Sequence, residues 1–432
     1  MKKTTILILL LGAISMAQGQ EQVYWKPLIP TRGAFPHLGD IEGAPRLRAF
    51  SFADGIYESD RETGLPSRQT AEGTELGIGA SGYKRWESTA LGLDYLSTFR
   101  YYSPKIPENG GDHQLTLGLS RALARKWKLN IAQSGGIFHR QYLYNPFSVL
   151  SESFSGAPSS GVFDDRTYYS ASAAGLTYQR SPRLALEISG RGYVVRRTAA
   201  GLVGLNSFEG NAGVVYGVSE HNVLRLDYSA SHYTYTDVAG EANLQGLAAG
   251  WARRLTRNWE IQLRGGAYRA GRLTLTRESV DPSLAAIVPP APGMRTSATV
   301  RFIPLYDAAL YRRFRHATAM VGYTRGVDPG DGVYLLSRRE GAQFGYNDAG
   351  FGRLHWGLMG GYGRYSSLTE TAVSRAWWGG GGVTFRVVQS LHLMARYDAN
   401  RFVVPDKDFT RDRFRITFGI AFAPREVALA MP

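Results

Sequence analysis

Between Arg413 and Phe422 every second residue is large and apolar. Phe414, Ile416, Phe418, Ile420 and Phe422 alternate with Arg413, Arg415, Thr417, Gly419 and Ala421. A period of two marks a strand whose two faces meet different surroundings. Similar segments recur along most of the chain, and beyond the N-terminus no apolar run reaches helix-spanning length. Behind a secretory signal, this pattern predicts a transmembrane β-barrel, because only helices and closed barrels satisfy their backbone within a bilayer.

The N-terminus carries such a signal. Lys2 and Lys3 form a basic start, Ile6 to Met16 an apolar run too short to span, and Ala17-Gln18-Gly19 a small-residue cleavage site. Residues 1–19 therefore read as a signal peptide, whose removal takes two lysines and lowers the formal charge from +14 to +12. The absence of cysteine excludes disulfide staples, thiolate metal sites and a lipidated N-terminal cysteine. A mean hydropathy of −0.23 is far too polar for a helical membrane protein. It fits strands that alternate lipid-facing with lumen-facing residues. A secreted β-sandwich or propeller is the competing all-β reading.

Residues 20–45, with Pro27, Pro30, Pro36 and Pro45 and no alternation, read as a periplasmic extension. Residues 46–422 read as the barrel and 423–432 as a C-terminal tail. Short basic or polar turns are expected at Lys84–Glu87, Ala124–Lys126, Arg180–Arg183, Ser219–Asn222, Leu255–Asn258, Arg313–His316, Gly352–Leu354 and Val388–Ser390. Longer connections are expected at Gln141–Asp165, Gly271–Met294, Val327–Gly332, Leu368–Ser374 and Pro405–Asp408. Short turns on one rim and long loops on the other describe a single antiparallel up-and-down barrel with periplasmic turns. The turns imply about 18 strands; 16 stays open because residues 46–57 and 335–350 alternate poorly.

The alternation assigns faces. Leu184, Leu186, Ile188 and Val194 oppose Arg183, Glu187, Ser189, Arg191 and Arg197, and similar splits place Leu226, Leu263, Phe418 and Ile420 toward lipid. A charge facing lipid at the midplane costs about 2–4 kcal/mol, so the charged face is the lumen. Trp86, Trp127, Trp259 and Trp356 each lie beside a short turn, as an interfacial aromatic girdle requires. Tyr101, Tyr102, Tyr193, Tyr233, Tyr235, Tyr268 and Tyr365 are expected to form the opposite girdle.

The expected lumenal arginines are Arg191, Arg225, Arg264, Arg301, Arg364, Arg396 and Arg415, with Arg100, Arg183, Arg386 and Arg413. Fewer acids accompany them: Asp94, Glu187, Glu209, Asp227, Glu260, Asp307 and Asp398. Fixed positive charge in a pore favours anions; pairing of these arginines with the carboxylates would only stabilise a polar wall. A second basic set lies at the turns, including Lys84, Arg125, Lys126, Arg254, Arg312 and Arg313, and suits anionic lipid or a periplasmic partner.

Several motifs lack their context. Gly77-Ile-Gly79-Ala-Ser-Gly82 matches a dinucleotide pattern in letters, but a turn follows where a helix N-terminus is needed. The run Gly379–Gly382 reads as a strand with small side chains on both faces. The eight histidines show no metal spacing and no Gly-x-Ser-x-Gly elbow occurs, so no cofactor, metal or catalytic set is expected. Asp164, Asp165, Asp328, Asp331, Asp406 and Asp408 in the presumed outer loops suit either divalent cations or turn chemistry.

With its signal, even strand count and aromatic-ended last strand, the chain resembles the broad class of Gram-negative outer-membrane porin-like barrels. The resemblance spans nearly all of residues 46–422 and is architectural. It implies that Phe414, Phe418 and Phe422 form the signal read by the barrel-assembly machinery, although the tail Ala423–Pro432 follows. It also implies outer-membrane lipid and lipopolysaccharide as surroundings, and no nucleic acid. The leading functional expectation is a channel for small hydrophilic, preferentially anionic or sugar-like solutes. The alternatives are a conduit for a cell-surface polysaccharide, docked to a periplasmic export protein, and a structural or adhesin barrel plugged by its loops.

Overall fold

The computed structural model describes residues 48–423, apart from 64–68, 104–108, 139–165, 199–202, 237–239, 278–293, 316, 329–335, 352, 369–372 and 406–407. The expected signal peptide, the 20–45 extension and residues 424–432 of the tail lie outside the described residues, as do Asp164, Asp165, Asp331 and Asp406.

The strands follow in chain order as β1 (Arg48–Glu62), β2 (Gln69–Arg85), β3 (Thr89–Ser103), β4 (Gly110–Ala124), β5 (Trp127–Phe138), β6 (Thr167–Gln179), β7 (Leu184–Arg197), β8 (Leu205–Ser219) and β9 (Asn222–Tyr235). The second half comprises β10 (Gly240–Arg254), β11 (Trp259–Arg277), β12 (Met294–Arg313), β13 (Ala317–Asp328), β14 (Ser337–Phe351), β15 (Leu354–Ser367), β16 (Val373–Val388), β17 (Leu391–Val404) and β18 (Phe409–Phe422). Each strand pairs antiparallel with its neighbour in the chain. β1 then pairs with β18, from Ser51 opposite Phe422 to Glu62 opposite Arg411, and closes the sheet. The result is one 18-stranded barrel, with no sheet edge left to pair.

All eight expected short turns fall between successive strands, from β2–β3 to β16–β17, so the count is 18 rather than 16. The poorly alternating segments near 46–57 and 335–350 form β1 and β14. One expected connection is shorter than its sequence suggests: β11 continues to Arg277, so residues 271–277 belong to the wall. At the opposite rim, Asp408 closes the β17–β18 connection with φ 47°, and its N–H donates to the Pro405 carbonyl at 3.1 Å. That left-handed position suits Asp, whose short polar side chain tolerates it.

The outward face is apolar around the wall, with Ile78, Phe99, Ile188, Leu226, Leu247, Phe302, Val321, Phe344 and Phe418 all unburied. Leu186, Leu263 and Ile420 share it, as their alternation predicts. On β18 the inward set Arg413, Arg415, Thr417 and Ala421 is buried to 8 % exposure or less, whereas Phe418 is 63 % exposed. An apolar belt on a closed barrel's exterior is a surface built for lipid.

The dinucleotide-like letters at Gly77 and Gly79 acquire a packing explanation. Both glycines face inward on β2, where the rings of Phe52 and Phe50 on β1 lie across them. A Cβ at either position would overlap a ring, so glycine is the residue that lets the two aromatics lie flat on the inner wall.

Candidate functional site

An 18-stranded barrel is wide enough to leave a channel, so its inner face is where chemistry can act on a solute. The longest connected run of charge on that face crosses β18, β1, β2, β3 and β4. Inward alternation on β18 presents Arg411, Arg413 and Arg415; on β1 it presents Glu58, Asp60 and Glu62; on β2, Glu75. Arg411 Nη2 lies 2.5 Å from Asp60 Oδ2, and its Nε lies 3.7 Å from Glu62. Arg413 reaches Asp60 at 3.3 Å and Glu58 at 3.8 Å. Arg415 donates to Glu75, and Glu75 also faces Arg100 Nε at 3.3 Å. Arg100 in turn contacts Asp112 at 2.7 Å. The Tyr102 hydroxyl donates to Glu58 at 3.0 Å. Four guanidiniums here meet five carboxylates, so the ladder is nearly neutral and fixed by its own pairs.

The seven arginines expected to line an anion path therefore divide into three groups. Arg225, Arg264, Arg396 and Arg415 face inward but are spent in ion pairs. Arg225 meets Asp227 at 2.6 Å and Glu187 at 3.1 Å; Arg264 meets Asp307 at 3.4 Å; Arg396 meets Asp398 at 2.8 Å. Arg191 and Arg301 lie on inward rows with no carboxylate within salt-bridge distance among the described residues. Arg191 instead stacks 5.4 Å over the Tyr193 ring, while Arg301 stands exposed near the long-connection rim. Arg364 is a correction. It shares the outward row of β15 with Leu358 and Tyr362, and Tyr362 stacks at 5.3 Å on the outward Trp377. Its alternation is masked in the sequence because the inward positions of β15 are mostly glycine, His and Tyr. Arg183 lies in a short turn rather than on the wall.

The expected second tyrosine girdle is also corrected. Tyr102, Tyr193, Tyr233 and Tyr235 turn inward and are buried, with Tyr268 on the same side. Tyr102 packs with Ile56 and Ala71, whereas Tyr193, Tyr233, Tyr235 and Tyr268 join Val195, Leu205, Leu244 and Ile303 in an apolar inner patch toward the long-connection rim of β6–β12. The Tyr233 hydroxyl and the Ser207 hydroxyl both donate to Glu209 Oε1 at 3.1 Å. The β6–β12 side of the inner wall is thus apolar and phenol-bearing toward the long-connection rim and carries the Arg225–Asp227 and Arg264–Asp307 pairs nearer the short turns. Outward rings at the long-connection rim include Tyr101, Phe208, Phe302, Tyr306, Tyr323 and Trp377 instead.

The tryptophans beside the short turns lie where the turns place them. Trp86 carries Lys84 at 5.3 Å over its ring, Trp127 stacks on Tyr178 at 4.6 Å, and Trp356 stacks on Tyr346 at 4.8 Å. Arg312 sits over Trp259 at 4.8 Å and Phe314 at 4.5 Å. Phe414, Phe418 and Phe422 share the outward face of β18. Sequence reasoning missed Asp54, Glu58, Asp60, Glu62, Glu75 and Asp112 as lumenal acids. For the first four, the even spacing along β1 was the available signal. Among the described residues no three metal-ligating side chains converge.

No protein-family model and no curated protein matches the sequence. Solved structures similar to it include Pseudomonas aeruginosa OccK2 (OpdF), at 14 % identity and a TM-score of 0.42, covering 88 % of this chain and 98 % of that one. The complex of OccK2 (OpdF) with glucuronate matches at 13 % identity and 0.42, covering 87 % and 98 %. Pseudomonas aeruginosa OpdO matches at 14 % and 0.41, covering 87 % and 97 %. On its own closure, alternation and apolar exterior, the chain is an 18-stranded antiparallel β-barrel of the porin-like architectural class.

Proposed function

We propose that this protein is a passive channel of a Gram-negative outer membrane, with its short turns toward the periplasm, that passes small hydrophilic solutes. The observation that carries this reading is a closed barrel whose exterior is apolar and whose interior is lined by ionised and hydroxyl-bearing side chains. Such a wall offers a solute replacement hydrogen bonds for the water it sheds.

The preference we assign, for anionic or sugar-like solutes, rests on fewer residues than the count of arginines suggests. Paired guanidiniums contribute dipoles rather than net charge. Arg191 and Arg301 remain as inward cations without a salt bridge among the described residues, Arg191 deep on the wall across from Glu209 and Arg301 near the mouth. The paired ladder of β18 to β4 supplies alternating donors and acceptors that suit a polyhydroxylated or carboxylated solute. Phe414, Phe418 and Phe422 serve, in this reading, as the terminal signal for the barrel-assembly machinery.

The experiment is single-channel recording of the purified protein in planar bilayers. Conductance with a modest anion preference is expected, and Arg191→Gln with Arg301→Gln should abolish the preference while leaving the pore open. A preference unchanged by that pair but lost on neutralising Arg225, Arg264 and Arg396 would show that the ion-paired arginines carry it.

A further inference from the structure

The outward face carries one band of charge that a lipid-facing surface does not need. Cross-strand register places Arg325, Glu340, Arg364 and Arg375 in one row across β13, β14, β15 and β16. Arg325 and the Tyr323 hydroxyl both engage Glu340, at 3.9 and 2.8 Å. Arg364 stands between Glu340 on β14, whose carboxylate is turned to Arg325 and Tyr323, and Arg375 on β16. Neither Arg364 nor Arg375 makes a salt bridge among the described residues, so the row, with three guanidiniums and one carboxylate, carries a net excess of two positive charges. Like charges directly opposite one another repel, and an anion held between the two guanidiniums relieves that repulsion. Arg364 Nε is in addition buried without a hydrogen bond. Next along the band, Arg401 on β17 makes an exposed 3.4 Å pair with Asp412 on β18, and Arg61 on β1 lies opposite Asp412.

The height of this band identifies what it meets. Arg375 lies ten residues along β16 from Phe385 at the short-turn side. At about 3.4 Å per residue and a tilt of roughly 40°, that is about 25 Å up the wall, the height of a barrel's apolar belt. The stacked rings of Tyr362 and Trp377 lie two residues nearer the membrane centre, at the level where amphipathic aromatics mark the headgroup boundary. The guanidiniums therefore stand just beyond the rings, at the level of lipid phosphates on the long-connection side. A planar guanidinium binds phosphate through two parallel N–H bonds, which an ammonium cannot do.

We propose that Arg364 and Arg375, over the Tyr362–Trp377 floor, form a binding site for the phosphate groups of an outer-leaflet lipid. The site rests on the barrel's placement in the membrane and is independent of what the lumen passes. Native mass spectrometry of the detergent-purified barrel tests it, with bis-phosphorylated lipid A, the same lipid dephosphorylated, and inorganic phosphate as separate probes. The wild type is expected to retain lipid A, and Arg364→Gln with Arg375→Gln to weaken retention at least tenfold. Arg386→Gln, on the inward row of β16, should leave it unchanged. Arg364→Lys with Arg375→Lys should fall between, because it keeps charge but loses the bidentate geometry. Heat-modifiable gel mobility of each variant reports whether the barrel is folded. Equal retention by wild type and the folded double variant overturns the site. Equal retention of the dephosphorylated lipid shows apolar adhesion instead, and saturation by inorganic phosphate alone at the same concentration shows a free-anion site; either result overturns the lipid assignment.

Discussion

Glu75→Gln tests whether the lumenal arginines are structural before they are functional. Glu75 accepts a hydrogen bond from Arg415 and lies 3.3 Å from Arg100 Nε, with Glu75 and Arg415 side chains both nearly inaccessible. The amide keeps the shape but removes the charge held between two guanidiniums. Removing one partner of a buried pair costs about 3–5 kcal/mol, because the other is left uncompensated. Arg100 retains Asp112 at 2.7 Å, so the lower end, about 3 kcal/mol, applies. The assay is urea unfolding in detergent, read as the folded, faster-running band on an unheated gel. Arg415→Gln alone should cost a similar amount, and the double variant less than the two together, with a coupling of about 1–3 kcal/mol. In bilayers, Glu75→Gln should also move the reversal potential toward anions, since it frees positive charge. Stability within about 0.5 kcal/mol of wild type, with no coupling in the cycle, would refute the reasoning.

The face assignment predicts that single cysteines at Leu186, Leu226, Leu263, Phe418 and Ile420 react with membrane-phase reagents, and those at Arg191, Arg225, Arg264, Arg396 and Arg415 with small aqueous thiol reagents. The cysteine-free background makes each label unambiguous, and Arg364→Cys should resist lumen-restricted reagents; an intermixed pattern would mean the register is wrong. Gly419→Ala should weaken the closing seam by about 1–3 kcal/mol in the urea assay. Its Cβ would fall on the Ala53 carbonyl oxygen and the Asp54 carboxylate, 2.6 Å from the Asp54 Cα, so wild-type stability would show that β1 and β18 pair in another register. Phe418→Arg places a charge on the lipid face and should cost about 2–4 kcal/mol of barrel stability; a smaller loss would place residue 418 near an interface.

Strands with an unmixed outward stripe were legible in the sequence. β18, β7 and β9 each oppose Leu, Ile or Phe to charged residues, and the turns between such strands fixed the count. β1 was less so, because its inward row mixes Phe50, Phe52 and Ile56 with Asp54, Glu58, Asp60 and Glu62. Hydropathy alternation fails when apolar residues line the lumen. The same mixing hid the inward Tyr193 and Tyr233, which match lipid-interface tyrosines in type and in distance from the turns. Pairing was beyond reach for a different reason. Arg415 and Glu75, like Arg411 and Asp60, are more than three hundred residues apart and meet only because the ends of the chain close the barrel. Same-strand pairs such as Arg225–Asp227 and Arg396–Asp398 were visible as neighbours on one face.

Reversal potential across a planar bilayer at about 0.1 M salt tests the central claim most directly, since the Debye length there is about 10 Å and fixed lumenal charge is still felt. Stepwise conductance with a mild preference for anions is predicted, lost in Arg191→Gln with Arg301→Gln and kept in Arg364→Gln. Protein that is folded by its heat-modifiable mobility and inserted, yet conducts nothing, would contradict it.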